Sequence, residues 1–176
     1  GQKRRLALAA AVIHQPRLLI LDEPTSEVDP NTRREFWDQL FTMCDNGTTI
    51  LVTTHLMDEA ERCHHLAIIN EGVKVADGSP ESLKENLGAT MFEVHGDNPG
   101  ILKKTLHDLD PIIAITQVGL SLRVMLDPVL NNPEVWLKEQ LKSSSDISLR
   151  PTAPSIEDVF VMATQGREPR ENHGHK

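Results

Sequence analysis

Runs of apolar residues in the first half of the chain alternate between helical and strand patterns. Residues 2–14 contain neither Gly nor Pro, and their strong helix formers predict a helix that Pro16 ends. The expected buried face of this helix consists of Leu6, Ala9, Ala10 and Ile13. The continuous apolar run at 18–21 predicts a strand buried on both faces of a parallel sheet.

The next elements continue this alternation. Asp29-Pro30 has the form of a helix cap followed by a proline at the first helical position, and Gly47 ends the helix. The remaining predicted elements are a strand at 49–53, a short helix at 57–64 and a strand at 66–69. The resulting order αβαβαβ predicts an α/β fold with a parallel sheet.

The α/β part continues to Gly88, where we place the domain boundary, and a different element order follows. A turn at 70–72 precedes a strand at 73–76, and Ser79-Pro80 begins a short helix that ends near Gly88. Beyond it we predict strands at 91–95, 112–118, 120–126 and 147–150, with helices capped by Asn98-Pro99 and Asn132-Pro133. The order βαββαβ predicts a small α+β domain of the ferredoxin-like type.

Three segments follow from these elements. Residues 1–88 form the α/β part, and residues 89–166 form an α+β accessory domain. The accessory domain ends in a helix that begins with a capping-box-like pair, Ser155 and Asp158. Residues 167–176 are polar, and we expect them to be a disordered tail.

Composition excludes several classes of protein. The chain has 176 residues, with 18 Lys and Arg against 26 Asp and Glu, a net charge of −8 and 3% aromatic residues, which disfavours nucleic-acid binding. The longest apolar run, residues 6–13, is far shorter than the ~20 residues that cross a bilayer, so we expect no direct membrane insertion. Cys44 and Cys63 lack a C-x-x-C spacing and suit a reducing compartment.

Two adjacent acids carry the clearest chemical signal. Asp22 and Glu23 follow the apolar strand directly, which places them at the carboxyl edge of the sheet, where α/β proteins bind ligands. In phosphoryl transfer the first acid of such a pair holds Mg²⁺, and this assigns Asp22 to the metal. Glu23 would then reach the attacking water as general base. Taken alone, the pair could equally be two solvated acids at the end of a strand.

Further residues map to the same edge. His55 follows the predicted strand at 49–53, Asp29 follows the acidic pair, and Gly1-Gln2 opens the first helix. A histidine at a strand end can contact a γ-phosphate, and a glycine at a helix N-terminus can offer backbone N–H groups to one. Each of these residues is a weak signal alone, but together they point to nucleotide chemistry.

In their order and spacing, these motifs resemble those of the ATP-binding cassette (ABC) ATPases. Residues 18–23 resemble the Walker B strand with its glutamate, residues 26–29 the D-loop, and His55 the switch histidine. Gly1-Gln2 resembles the end of the LSGGQ signature. The stretch at 53–61 and the C-terminal segment at 154–160 are most similar to the ATPase subunits of ABC-2 type exporters, the drug-resistance-like group.

The resemblance implies a function and a set of partners. Residues 1–88 would be part of a P-loop NTPase fold that binds ATP and Mg²⁺ and hydrolyses ATP, with Asp22 on the metal and Glu23 and His55 as catalytic residues. The implied nucleotide-binding residues are Gly1, Gln2, Ser26 and Asp29. Two ATPase subunits, or tandem halves, would sandwich the nucleotides and drive a membrane permease from the cytoplasmic face of the membrane.

The chain departs from the family pattern at its start. No G-x-x-x-x-G-K-[ST] loop occurs among the 176 residues, so the chain resembles the second half of an ATPase that begins within the signature. Because that loop cradles the β- and γ-phosphates, we expect this chain alone neither to bind nor to hydrolyse ATP. Glu27 stands where the family usually has glycine.

Two other functions fit parts of the pattern. A non-transport ABC ATPase, such as a translation or DNA-repair factor, would share the motifs of residues 1–88 but would not explain the transporter-like stretches. Alternatively, residues 91–150 could be a regulatory module that senses a ligand or dimerises, an interpretation that depends on element order alone.

Overall fold

The computed structural model describes residues 2–142 and 146–165, with the side chains of residues 6–142 and 146–164. The chain divides into two compact units, Gly1–Arg62 and Cys63–Lys176. Gly1, and the tail expected at 167–176, lie outside the described residues.

The first unit is α/β, as its hydrophobic pattern predicts. Its elements are α1 (Gln2–Val12), β1 (Leu18–Asp22), α2 (Pro30–Asp45), β2 (Thr49–Thr53) and α3 (Met57–Ala60). Strands β1 and β2 pair in parallel, in a register that runs from Leu18 opposite Thr49 to Asp22 opposite Thr53. The parallel pairing therefore places the ends of both strands at one edge, as the sequence predicts.

Helix α2 has a capped N-terminus, an apolar face and a glycine just beyond its C-terminus. The Asp29 side chain accepts a hydrogen bond of 3.0 Å from the Thr32 N–H, and Pro30 fills the first helical position. The buried side chains are Phe36, Trp37 and Leu40, and the helix packs against β2. At its far end Gly47 has a φ of +90°, a conformation that glycine adopts without penalty.

The prediction that β1 is buried on both faces is wrong. Leu19 is 5% exposed, whereas its neighbours Leu18 and Ile20 are 56% and 65% exposed, and Leu51 of β2 is exposed as well. Among the described residues the parallel sheet has two strands, and α2 packs against it, so the other face stays open. We call Leu18, Ile20 and Leu51 the open face.

The buried side of α1 also differs from the prediction. Leu8 is buried, whereas Leu6, Ala9, Ala10 and Ile13 are exposed. Ala residues suit either side of a helix, so the pattern at 6–13 did not fix which stripe faces inward.

The second unit contains the remaining elements. They are β3 (Leu66–Asn70), β4 (Val73–Gly78), α4 (Pro80–Glu85), β5 (Thr90–His95), α5 (Pro99–Leu106), β6 (Ile112–Val118), β7 (Ser121–Leu126), α6 (Pro133–Gln140), β8 (Ser148–Pro151) and α7 (Ile156–Gln165). Strands β3 and β4 form an antiparallel hairpin. Its turn residues Glu71 and Gly72 have φ values of +50° and +77°, as tight hairpin turns require.

A four-stranded antiparallel sheet forms most of this unit. The strand order is β6-β7-β5-β8, and each neighbouring pair is antiparallel. The main core lies on one face of this sheet and against α5 and α6; it consists of Phe92, Val94, Leu102, Leu106, Ile112, Leu122, Val124, Leu126, Leu137 and Leu141. The sequence predicts a strand at 120–126 in which Leu120, Leu122, Val124 and Leu126 occupy alternate positions; Leu122, Val124 and Leu126 lie in this core, whereas Leu120 precedes β7 and is 81% exposed.

The boundary between the units lies earlier than the predicted domain boundary. The hairpin β3–β4 and helix α4 belong to the second unit because α7, near the end of the chain, packs against all three. Sequence order alone placed them with the α/β part. The boundary near Gly88 stays a prediction.

Candidate functional site

The parallel register brings the first predicted site residues together. Asp22 and Thr53 lie opposite each other at the ends of β1 and β2, and the Thr53 hydroxyl donates to Asp22 Oδ1. The backbone N–H of Glu23 donates to the Thr53 carbonyl at 3.0 Å and lies 3.2 Å from Thr53 Oγ1. Thr53, to which the sequence pattern assigned no role of its own, therefore positions both acids.

The Glu23 side chain lies beside His55, the other residue predicted to be catalytic. The Nδ1 atom of His55 lies 3.0 Å from Glu23 Oε1, and both side chains are exposed to solvent, His55 by 60% and Glu23 by 47%. Glu23 also has a φ of +41°, which is uncommon for a residue with a side chain and turns the backbone sharply after β1. The structure thus places Asp22, Glu23 and His55 at one accessible edge.

The loop after the acids carries the D-loop residues. The Ser26 N–H donates to the Glu23 carbonyl at 3.4 Å, which closes a tight turn directly after Glu23. Asp29 caps α2, and the hydrogen bond from Thr32 is the main reason why its pKa lies below the usual value for an aspartate. In this structure the Asp29 carboxylate is therefore engaged by its own helix.

A buried carboxylate lies close behind this edge. The position of Asp58, Glu59 and Glu61 at the start of a short helix predicts a solvated acidic face, but Glu59 is 1% exposed. Its Oε1 accepts from the Thr25 hydroxyl, and its Oε2 accepts from Thr54 Oγ1 at 2.9 Å. The prediction is wrong for Glu59, and the signal that could have found it is a threonine in each of the loops that follow β1 and β2.

The nucleotide contacts predicted for Gly1 and Gln2 lie outside the described side chains. Gln2 is the first residue of α1, its side chain is not described, and Gly1 is outside the described residues. A cavity of about 340 Å³ does reach Asp22 in the first unit. Its lining consists of Ala7, Leu8, Ala11, Ile20, Leu21, Asp22, Pro24 and Phe36. Since these residues include no basic side chain, the cavity by itself is not a phosphate site.

The donor atoms at the strand ends suit Mg²⁺. Asp22 offers carboxylate oxygens beside the Thr53 hydroxyl, and Mg²⁺ prefers oxygen ligands. Across residues 2–142 and 146–165, no group of three or more His, Cys, Asp and Glu side chains could hold a metal. A magnesium ion bound by one or two carboxylates and the phosphates of a nucleotide needs no such group.

Within residues 2–142 and 146–165, no helix has the length and apolarity needed to cross a bilayer.

Both a family model and individual curated proteins match this chain. The family model described as "AAA domain, putative AbiEii toxin, Type IV TA system" matches residues 1–58, the stretch that contains Asp22, Glu23 and His55. Curated relatives match nearly the whole chain. Two relatives called Nod factor export ATP-binding protein I, from Burkholderia thailandensis and Rhizobium leguminosarum bv. viciae, are each 39% identical to it over 96% of its length.

These relatives are longer than the chain. The match covers 53% of the Burkholderia thailandensis protein and 52% of the Rhizobium protein. A third relative of the same name, from Burkholderia pseudomallei strain K96243, is 40% identical over 96% of the chain and 53% of its own length. The chain therefore spans about half the length of the curated relatives it matches. The resemblance based on the motifs is confirmed: over 96% of its length the chain is similar to proteins named as ATP-binding proteins of an export system.

Proposed function

We propose that the full-length protein containing this chain binds and hydrolyses ATP to drive export. The observation that carries this proposal is the 3.0 Å contact between Glu23 and His55 beside Asp22. Hydrolysis of a phosphoanhydride needs a base for water, a group near the γ-phosphate and a metal-binding carboxylate. The three side chains supply these roles at one edge.

Each residue has a separate role in this mechanism. Glu23 accepts a proton from the attacking water as the oxygen adds to the γ-phosphorus and the bond to ADP breaks. His55 hydrogen-bonds an oxygen of the γ-phosphate and holds the Glu23 carboxylate in place. Asp22 would hold Mg²⁺, which neutralises charge on the β- and γ-phosphates when bound. Thr53 keeps Asp22 and the backbone of Glu23 in register.

The charge-neutral variant Glu23→Gln tests this mechanism in the full-length protein. We expect ATP hydrolysis to fall by about 100-fold or more, because the amide cannot accept the proton, whereas ATP binding is retained. Steady-state hydrolysis and nucleotide titration measure the two effects, and His55→Ala should also slow hydrolysis.

The matched control for this test is Glu35→Gln, which makes the same chemical change at an exposed position of α2. Its turnover should equal that of the wild type. Turnover in Glu23→Gln that equals the wild-type rate would remove Glu23 from the mechanism.

The partners of the full-length protein follow from the same proposal. A second ATP-binding subunit, or a tandem half, completes each nucleotide site, and Gly1, Gln2, Ser26 and Asp29 contact the nucleotide across that interface. ATP hydrolysis by the two subunits drives the movement of an integral membrane permease, which they contact at the cytoplasmic face of the membrane. The export function in the names of the relatives supports this partner.

The four-stranded sheet in the second unit belongs, in our proposal, to a ferredoxin-like domain. The chain order β5-α5-β6-β7-α6-β8 and the sheet order β6-β7-β5-β8 support this assignment, because β7 lies between β5 and β6 as in a split βαβ unit.

A further inference from the structure

Glu59 is the most deeply buried ionisable side chain among the described residues, with 1% of its surface exposed. It lies in α3, a helix of four residues. A buried carboxylate loses its hydration, so it is retained in a fold only where donors replace the lost water.

The donors around Glu59 come from the loops that carry the reacting residues. Thr25, two positions after Glu23, donates to Oε1, and Thr54, the neighbour of His55, donates to Oε2 at 2.9 Å. A hydroxyl has a single proton to donate, and both threonines donate theirs to the Glu59 carboxylate. Thr54 Oγ1 additionally accepts the Leu56 N–H at 3.0 Å, which fixes the backbone just after His55.

A third group approaches the same carboxylate from α2. Arg33 Nε lies 3.5 Å from Glu59 Oε1, and its guanidinium also lies 3.5 Å from Asp58 Oδ2. The carboxylate of Glu59 thus joins the loop after β1, the loop after β2 and helix α2. Of these, the two loops hold the general base and the histidine of the proposed mechanism.

We propose that Glu59 is a positioning residue that sets the distance between Glu23 and His55. It acts through Thr25 and Thr54, whose separation its two oxygens fix. This inference deepens the proposed function, on which it rests, by adding a buried residue to the site. A loss of the carboxylate releases the two loops from each other and lengthens the contact between Glu23 and His55.

The test compares Glu59→Gln with wild type in the full-length protein. The amide keeps the size of the side chain but has one acceptor oxygen, so one threonine loses its partner. We expect kcat for ATP hydrolysis to fall by about 10- to 100-fold while KM for ATP changes less than about twofold, since misplaced reacting groups affect rate more than binding. The matched control is Glu35→Gln on the exposed side of α2, which should keep wild-type kinetics.

A second pair of variants separates positioning from the loss of charge. Thr54→Ser keeps the hydroxyl and should retain kcat within about threefold, whereas Thr54→Val removes it at similar size and should lower kcat as Glu59→Gln does. Equal kcat in Thr54→Val and wild type would overturn the proposal.

Hydrogen exchange measured by mass spectrometry gives a readout that does not depend on activity. In Glu59→Gln, exchange should rise in peptides covering residues 22–28 and 53–58 and stay unchanged in peptides from β5 and β7. A rise throughout α2 and the whole of residues 2–62 would overturn the proposal in favour of a general role in stability, and so would unchanged exchange in the two loop peptides. If wild type hydrolyses no ATP, the proposed function fails, and the exchange comparison alone then decides the role of Glu59.

Discussion

Glu23 is held in place by its backbone as well as by its side chain. Its N–H binds Thr53 across the parallel pair, and its carbonyl accepts the Ser26 N–H, so the positive φ is supported on both sides. Glu23→Gln therefore alters the carboxylate and leaves these backbone hydrogen bonds available. This makes the variant a clean probe of proton transfer.

Asp29 links pH to the stability of the first unit. Its pKa is lowered mainly by the hydrogen bond from Thr32, so its contribution to stability is present above its ordinary value of 3.8 and is lost as pH falls through the lower folded value. Asp29→Asn keeps a capping oxygen without a titrating group. We expect the urea midpoint of wild type to exceed that of Asp29→Asn at pH 6.

The same comparison at acid pH completes the test. The difference between the two proteins should shrink as pH is lowered below about 3.8, the ordinary value for the group, because Asp29 becomes protonated. A difference in midpoint that stays constant between neutral and acid pH would contradict the linkage. Asp29→Ala should be less stable than Asp29→Asn throughout, since alanine offers no cap.

Sequence reasoning predicted that Asp22, Glu23 and His55 lie together, and it missed the burial of Glu59. Asp22 ends β1, and Glu23 and His55 follow β1 and β2, so the strand pattern is sufficient to place all three at one edge. Glu59 looks like one more acid in the first turn of a helix, where exposed acids are common. Its burial depends on Thr25 and Arg33, which are 34 and 26 positions away in the chain, and local pattern carries no information on such contacts.

At the scale of elements, a partly buried ion pair joins the first turn of α7 to strand β7. Arg123 of β7 donates to Asp158 at 2.6 Å and to the Ala153 carbonyl at 3.0 Å. Asp158 also accepts the Ser155 N–H at 2.8 Å, while the Ser155 hydroxyl accepts the Asp158 N–H at 3.2 Å. The predicted capping box is confirmed, and it serves the sheet as well as the helix.

Removal of the arginine should destabilise the second unit. Arg123→Ala leaves the Asp158 carboxylate, which is 8% exposed, without its cationic partner. We expect a loss of about 2–3 kcal/mol in the free energy of unfolding, less than the ~3–5 kcal/mol of a fully buried pair, because Arg123 is itself partly exposed. Urea denaturation followed by circular dichroism measures this change.

The control is Lys138→Ala, which breaks an exposed ion pair with Glu134 on α6. Its effect should stay below about 0.5 kcal/mol, as is usual for surface pairs. If the two variants were equally stable, the Arg123 pair would have no special role in the attachment of α7.

Element boundaries were predicted best where turn residues mark them. The strand at 112–118 and the helices that begin at Pro80, Pro99 and Pro133 agree with the structure. The helix at 57–64 is shorter than predicted and ends at Ala60. Asn132 precedes α6 but makes no side-chain cap hydrogen bond, because its φ of +53° is left-handed. The identity of a capping residue does not fix its backbone angles.

At the scale of the whole molecule, strand pairing was the least predictable property. The order αβαβαβ favours a third parallel strand, yet β3 pairs antiparallel with β4 in a sheet of its own. The choice between the two pairings depends on the Glu71-Gly72 turn and on α7, which lies some 90 positions further along the chain. The hydrophobic periodicity of a segment carries no information on its contacts with residues so far away in the chain.

Nucleotide binding by the 176-residue chain should be absent at micromolar concentrations. The chain contains no glycine-rich phosphate loop with its lysine, and the cavity beside Asp22 has no basic lining. Calorimetric titration with MgATP measures this directly, with the full-length protein as the positive control. A micromolar Kd for the 176-residue chain would show that residues 1–176 hold a phosphate site of another kind.

The open face of β1 and β2 has a practical consequence for work with this chain. Leu18, Ile20 and Leu51 form an uncharged surface on a sheet whose two strands are both edge strands among the described residues. Such surfaces template aggregation, because a second molecule can add a strand and cover the apolar side chains at once. Preparations of the isolated chain should therefore be kept dilute, and a solubilising fusion partner or a polar substitution such as Ile20→Thr is the natural remedy.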